Sequence, residues 1–454
     1  MSSSIPIDRS NAALLLARME GVPFTWWHAK ARLIMGSATF FDAFNALSLA
    51  FALPVLIRSW HITSTQSGVL IATSYVGQLA GALIFSWIAE RRGRVPSAAW
   101  AVALMSVMSL ACAFTGNFNA LFVCRLIQGI GVGGEMPVAA AYISELSQAR
   151  GRGRFFLLYE MIFPVGLMAT GQIGTLLVPA WGWQAMFVIG GVPGLIIAFL
   201  LARLPESPRW LLSQGRQEEA ERVVEQIEAS TLKRIAVSSP TAGAVVPPQE
   251  RPRWREVLSP VYRSRTLIAW TLWFCAYFVS NSLNNWMPSL YNTVYHLSLQ
   301  KSLRAASMLN VAQVAVLLVC AFLIDRTGRR NWMVASFIAS AVLLAILGLG
   351  AAAGPSRVMI LGTLSYGIIG SANAVLYLYT PEIYATRIRA IGTGLSTSWL
   401  RIASAAGPAI VGVIVGAQGI APVFWMFAAV ALAGAVAAFG MLETRNRPLE
   451  DIAA

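Results

Sequence analysis

The sequence predicts an all-α, polytopic membrane protein: twelve transmembrane helices arranged as two pseudo-symmetric six-helix bundles. Three observations carry that prediction. Of the 454 residues, 57% are hydrophobic and 12% charged, about half the charged fraction of an ordinary soluble domain, and the mean hydropathy is +0.63. Apolar runs of about 20 residues recur along the chain, each long enough to cross a bilayer as a helix. A charged joint is also written twice. Ala89-Glu90-Arg91-Arg92-Gly93-Arg94 closes one apolar run, and Ile324-Asp325-Arg326-Thr327-Gly328-Arg329-Arg330 closes another, 235 positions on (325 − 90). Glu145, seven residues before Arg152, is matched by Glu382, seven before Arg389, 237 positions on (382 − 145). Two patterns repeated at nearly one offset, half a chain long, mark a duplicated membrane domain.

Taken in order, residues 1–32 form a polar arm that ends in Trp26, Trp27, His28, Lys30 and Arg32, an aromatic and basic anchor suited to the membrane interface. The N-terminal bundle covers 33–203. Span 1 (33–57) holds Asp42 and Asn45, with Pro54 near its outer end. Spans 2 (68–89) and 3 (98–115) flank the first joint. Span 4 (120–146) carries Arg125, then Gly129, Gly131, Gly133 and Gly134; span 5 (155–178) carries Glu160 and Pro164; span 6 covers 185–202. Residues 204–265 break the composition. They open with Pro205-Glu206-Ser207-Pro208-Arg209-Trp210, continue through a Glu- and Arg-rich surface helix from Gln217 to Glu228, and end in a linker with Pro240, Pro247, Pro248 and Pro252, residues that punctuate regular structure. The C-terminal bundle (266–442) holds spans 7 to 12 at 266–294, 305–324, 331–352, 357–380, 390–416 and 421–441. The tail, 443–454, returns to charge.

The net charge of +14 raises nucleic acid as a partner, and the placement of the charge argues against it. Of the 34 Lys and Arg, only Arg58, Lys301, Arg304 and Arg357 fall at one membrane face; Arg125 and Arg401 lie within spans, and the rest share the other face. That is the positive-inside pattern. It makes the basic face cytoplasmic and, with an even number of spans, puts both termini there. The patch Ala12 to Ala17 is broken by Arg18 and Glu20, so it is no signal peptide, and the first span serves as the insertion signal. Cys112, Cys124, Cys275 and Cys320 all lie in apolar spans and read as small hydrophobes. No phosphate loop, nucleophile elbow or metal-ligand cluster occurs. The chain reads as no enzyme and calls for no cofactor. Gradients must supply the energy of any transport, and the expected unit is a monomer.

These residues resemble the major facilitator superfamily. The two joints look like its loop between spans 2 and 3 and the repeat between spans 8 and 9. The Pro205–Trp210 stretch, the two Glu-x6-Arg pairs and Thr380-Pro381-Glu382 look like its sugar-porter and metabolite:proton symporter branch. Phe41-Asp42-Ala43-Phe44-Asn45, Gly133-Gly134-Glu135-Met136-Pro137 and the Arg401 span with Gly407-Pro408 are most similar to the bacterial nicotinate permeases and their vesicle-glycoprotein and organic-ion relatives. There are two departures. Glu90 stands in for the usual Asp, and Asn45 stands where many relatives have a second carboxylate. The resemblance implies alternating access in a bacterial inner membrane, with proton-coupled uptake of a small organic acid such as nicotinate. The rivals are a sugar or polyol symporter, an exporter of organic cations or drugs, and a receptor-like protein that has lost transport.

Site residues follow from cost and placement. An ionisable side chain at bilayer depth is expensive and marks a pathway, a proton site or a pair. Asp42, mid-span, is expected to carry the coupling proton or to be tied to a neighbouring helix; related symporters often use a carboxylate here. Arg401 is expected to bind a substrate carboxylate through its planar fork, or to pair with Asp42 or Glu160. Glu160 takes part in coupling or pairs with Arg154. Arg125, beside Gln128, offers a second anion contact or packs on carbonyls. Glu135 reads as part of a helix-bending element. Span 7 is unusually polar, with Tyr277, Asn281, Asn284, Asn285 and Trp286, then Pro288 to let its outer end bend. With Gln128, Asn373 and Tyr377 these suit a small polar or aromatic ligand. Glu90, Arg91, Arg94, Glu145 and Arg152 form one expected gate cluster, and Asp325, Arg326, Arg329, Glu382 and Arg389 the other. Each is able to hold the cytoplasmic ends of the bundles together and release them.

Overall fold

The computed structural model describes residues 9–23, 25–146, 161–231, 254–350, 354–385 and 388–445. Among them are twelve helices long and apolar enough to span a membrane: Trp26–Trp60, Ser64–Arg92, Arg94–Ala113, Phe118–Leu146, Ile162–Trp181 and Gln184–Leu201 in the first half, then Arg263–Thr293, Leu299–Thr327, Arg329–Leu349, Pro355–Glu382, Arg389–Gln418 and Ala421–Phe439 in the second. They are spans 1 to 12. Several run past the ends that hydropathy suggests. Span 1 takes in the aromatic anchor, and span 8 takes in Lys301 and Arg304. The apolar core sets the part of a helix in lipid, and backbone hydrogen bonds carry the helix further into the polar zone. Residues 147–160, where span 5 was expected to begin, lie outside the described residues, as do 232–253 of the linker and 446–454 of the tail.

The packing is duplicated. Span 2 packs on span 4 and span 8 on span 10; span 3 packs on span 6 and span 9 on span 12; span 1 packs on span 5 and span 7 on span 11. Within a membrane there is little hydrophobic force between helices, and close backbone approach takes its place. In span 4, Gly129 and Gly133 lie against Ser74 and Gln78 of span 2 so closely that a Cβ would collide with their backbones.

The halves meet along spans 2 and 11, 5 and 8, and 1 and 7. The tightest seam lies at the end away from the charged joints. There Gly68 of span 2 rests on Pro408 and Ala409 of span 11, and Gly412 rests on Ser64 and Gly68. Span 7 runs unbroken through Pro288 to reach this seam, where the Trp286 indole donates to the Pro408 carbonyl at 3.0 Å.

The N-terminal arm is not loose. Helix Arg9–Gly21 packs on helices Pro208–Ser213 and Gln217–Ala229. Leu15, Met19 and Val22 share a small core with Trp210, Val224 and Ile227. Arg18 grips Glu228 through two hydrogen bonds of 2.9 and 2.6 Å.

Candidate functional site: a central cavity between two charged joints

A cavity of about 720 Å³ lies between the halves, within the usual size of small-molecule sites. It runs from Asp325 and Arg329 at the charged end to Tyr75, Asn285 and Tyr366 deep between the spans. Asp325 is 80% exposed, so the cavity opens at that end. At its depth, the Asn285 amide donates across the halves to the Tyr75 hydroxyl at 3.1 Å.

Asp42, Tyr277, Asn281, Asn284, Asn285, Asn373, Tyr377 and Arg401 all line this cavity. The periodicity of spans 7 and 10 explains part of this, since residues four apart share a helix face: Tyr277 with Asn281, and Asn373 with Tyr377. Trp273 fixes the tyrosines. It stacks on Tyr277 with ring centroids 5.5 Å apart, meets Tyr377 edge-on at 4.8 Å, and is itself held by an indole bond to Thr380 Oγ1 of 2.9 Å.

Arg401 interacts electrostatically with both tyrosines and with Asp42. Its guanidinium makes no hydrogen bond to another described residue, its Nε is buried without a partner, and no described carboxylate lies within ion-pair distance. Asp42, in the other half, is 2% exposed, and its Oδ1 has no partner either. Arg401 and Asp42 thus face one space without closing on each other. Span 4 adds an acid that the sequence reading set aside. Glu135 is fully buried and accepts from Thr39 Oγ1 at 2.9 Å. Thr39 stands one turn before Asp42 on span 1, which puts Glu135 behind the cavity wall.

Two expected ligands do not line the cavity. Gln128 is fully buried within the first half, where it accepts from Arg125 Nη1 at 2.5 Å and donates to Asn45 Oδ1 at 2.9 Å. Arg125 also donates to the Asn45 carbonyl at 3.1 Å. Arg125 therefore packs on carbonyl-type oxygens, as one of its two readings had it. Trp286 is corrected too: its indole is committed to the seam at Pro408. Glu160 and Arg152 lie outside the described residues.

The joints are built alike, though not from the pairs expected. Glycine turns at Gly93 (φ +109°) and Gly328 (φ +86°) end spans 2 and 8 and start spans 3 and 9, a conformation that L side chains rarely adopt. Each turn aims the next arginine at its own bundle. Arg94 pairs with Glu145 at 3.1 Å, and Arg329 pairs with Glu382 at 3.3 Å and Asp325 at 3.0 Å. Arg91 instead lies over the Trp87 ring at 4.1 Å, and Glu90, Arg91 and Arg326 are exposed on the last helical turn. Arg389 donates to the Tyr384 carbonyl at 3.4 Å. Among the described residues no ion pair joins the two halves at this end; the pairs brace each bundle internally while the mouth is open.

A third member of each joint was missed. Glu206 accepts from the Val95 and Ser207 N–H groups at 3.1 and 2.8 Å, and Glu443 accepts from those of Arg329 and Arg330 at 3.0 and 3.1 Å. These carboxylates cap the starts of spans 3 and 9, where helix N-termini favour negative charge. Burial pushes the Glu206 carboxyl above its ordinary pKa, and the N–H donors pull it back. The spacing was there to read, since Glu443 follows Glu206 by 237 residues (443 − 206).

Residues 29–454 match the family described as sugar (and other) transporter. The niacin transporter NiaP of Acinetobacter baylyi is 31% identical over 96% of this chain and 99% of its own. The benzoate transport protein of the same organism is 25% identical over 90% of this chain and 87% of its own. Among solved structures, the partially occluded inward open xylose transporter XylE from E. coli superposes with a TM-score of 0.74 at 18% identity, over 93% of this chain and 100% of that one.

Proposed function

This chain belongs to the sugar (and other) transporter family of the major facilitator superfamily, and on that premise we propose that it is a secondary active transporter that takes up a small organic acid, nicotinate or another aromatic carboxylate, together with protons. The observation that carries this reading is Arg401: a guanidinium beside two cavity tyrosines, with no hydrogen bond to another described residue. Such a group is a ready partner for a carboxylate.

Asp42 supplies the coupling. Ionised Asp42 and a substrate carboxylate compete for the same cation, whereas protonated Asp42 leaves Arg401 to the substrate. Proton and acid therefore bind each more readily in the other's presence, which is a reciprocal linkage. Glu160 stays in the proposal as a second coupling acid. The basic face is assigned to the cytoplasm by the positive-inside rule, in a bacterial inner membrane, with both termini on that side. The cavity is then inward-facing, and the Arg94–Glu145 and Arg329–Glu382 joints brace the bundle ends that meet when it closes. The niacin and benzoate relatives support the substrate class.

The test is uptake of radiolabelled nicotinate into proteoliposomes under an imposed inward proton gradient. Accumulation that collapses with a protonophore is expected. Equal uptake with and without the gradient would remove the coupling. A sugar or polyol symporter is the second reading, favoured by the amide-rich cavity wall; xylose uptake with no carboxylate uptake would establish it instead.

A further inference from the structure

The wall around Arg401 has two levels. Tyr277 and Tyr377, which line the cavity with Arg401 and act on its guanidinium, form one. Asn281 lies four residues after Tyr277 on span 7, and Asn373 four before Tyr377 on span 10. The two spans run in opposite directions and pack together, so both amides lie one helical turn, about 6 Å of rise, toward the closed end. The Asn373 amide nitrogen donates to Ser280 Oγ of span 7 at 3.0 Å, which ties the amide level together.

The amides differ in what remains to them. Asn284 and Asn310 exchange reciprocal bonds of 3.2 and 3.1 Å. Asn285 gives its nitrogen to Tyr75 and to the Asn281 carbonyl. Asn281 gives its nitrogen to Ser404 Oγ. Asn373 lines the cavity, is only 8% exposed, and holds an Oδ1 with no partner. A buried amide oxygen without a partner costs about 1–3 kcal/mol. Ser280 can accept from the nitrogen or donate to the oxygen, so the amide can turn and present either group.

We propose that Asn373 reads a hydrogen-bonding atom in the substrate's ring, so that the site takes pyridine carboxylates in preference to plain benzene carboxylates. This rests on Arg401 as the carboxylate anchor. With the carboxylate at Arg401 and the ring against the tyrosines, the far side of a six-membered ring reaches the amide level. There a pyridine nitrogen accepts from Asn373 Nδ2 while Ser280 donates to Oδ1. A benzene C–H offers nothing, and the amide stays unsatisfied. Sites built to bond a polar atom reject the analogue that lacks it.

The experiment measures binding of nicotinate and of benzoate to the purified full-length protein by titration calorimetry. Wild type is expected to bind nicotinate at least about ten-fold more tightly than benzoate. Asn373→Leu is expected to cut the ratio of nicotinate to benzoate affinity to within about two-fold; loss of the Ser280 tie falls on both acids alike and leaves that ratio untouched. Asn373→Ser keeps a donor and is expected to retain part of the preference. A merely structural role for Asn373 would weaken both acids together at an unchanged ratio, and that outcome overturns the proposal. So does equal affinity of wild type for the two acids, which needs no variant to fold. Failure of the anchor reading looks different: neither acid binds wild type, or Arg401→Gln binds both unchanged, and the premise goes with it.

Discussion

Arg125 and Arg401 are arginines within spans of opposite bundles, the first buried and the second partly exposed at the cavity, and they are held in opposite ways. Arg125 gives its Nη1 to the Asn45 carbonyl and to Gln128, which in turn is fixed by Asn45, although its Nε, like that of Arg401, has no partner. Nothing in that cluster faces the cavity. Arg401 lines the cavity, makes no hydrogen bond to another described residue, and shares its space with Asp42 and two tyrosines. The same side chain is a structural tie in one half and an open contact in the other. Charge within a span therefore does not mark a ligand contact by itself; exposure to the cavity and the count of protein acceptors separate the two arginines.

The difference between the two arginines is open to test at each of them. Replacing Arg401 by Gln should give the largest effect on transport, a fall in nicotinate uptake of about 10- to 100-fold, the scale of losing a charge-assisted bond of roughly 1.5–3 kcal/mol. Unchanged uptake by that variant, normalised to protein in the membrane, would make the two arginines alike. Arg125→Gln should act on stability instead. It leaves Gln128 Oε1 without its Arg125 donor, at about 1–3 kcal/mol for a buried group, while the Asn45 carbonyl keeps its place in the helix of span 1. A lower melting temperature in detergent is expected, with near-normal uptake per folded protein. An unaltered melting temperature with lost uptake would reverse the assignment.

Asp42→Asn sharpens the contrast from the other side of the cavity. It should abolish accumulation driven by a proton gradient while nicotinate exchange persists, since a neutral amide mimics the protonated acid. Accumulation at the wild-type level would sink the coupling role. The smallest effects are expected at the joints. Arg329→Gln removes a partner shared by two carboxylates and should slow uptake, whereas exposed Arg326→Gln should change it by less than about two-fold, as exposed charges contribute little. Equal effects at the two positions would show that charge number, not pairing, matters there.

Much of this was legible in the sequence, and the pattern of what was not is physical. Spans, halves and the joints follow from hydropathy and from a spacing repeated within the chain. The cavity set Tyr277, Asn281, Asn373 and Tyr377 was readable because polar residues on an otherwise apolar span must face something wet. Partner choice was harder. Glu90, Arg91 and Arg94 sit within five residues, and only the positive φ of Gly93 decides that Arg94 turns toward Glu145 while Arg91 lies over Trp87. Gln128 and Trp286 share helices with cavity residues but point elsewhere, and a linear pattern does not fix helix rotation. The capping acids Glu206 and Glu443 were missed because one was read as part of a signature and the other as tail, although they keep the offset of the joints.

The glycine seam between spans 2 and 11 has a consequence for how the two ends respond to their surroundings. It is made of backbone contact at Gly68 and Gly412, with no ion pair among the described residues. Parting it breaks dispersion contacts, which dissolved ions do not screen. The arginine-bearing mouth is different, because its charges feel a Debye length that shrinks from about 30 Å at 0.01 M to about 3 Å at 1 M. Ionic strength should therefore tune one half of the transport cycle and leave the other half alone.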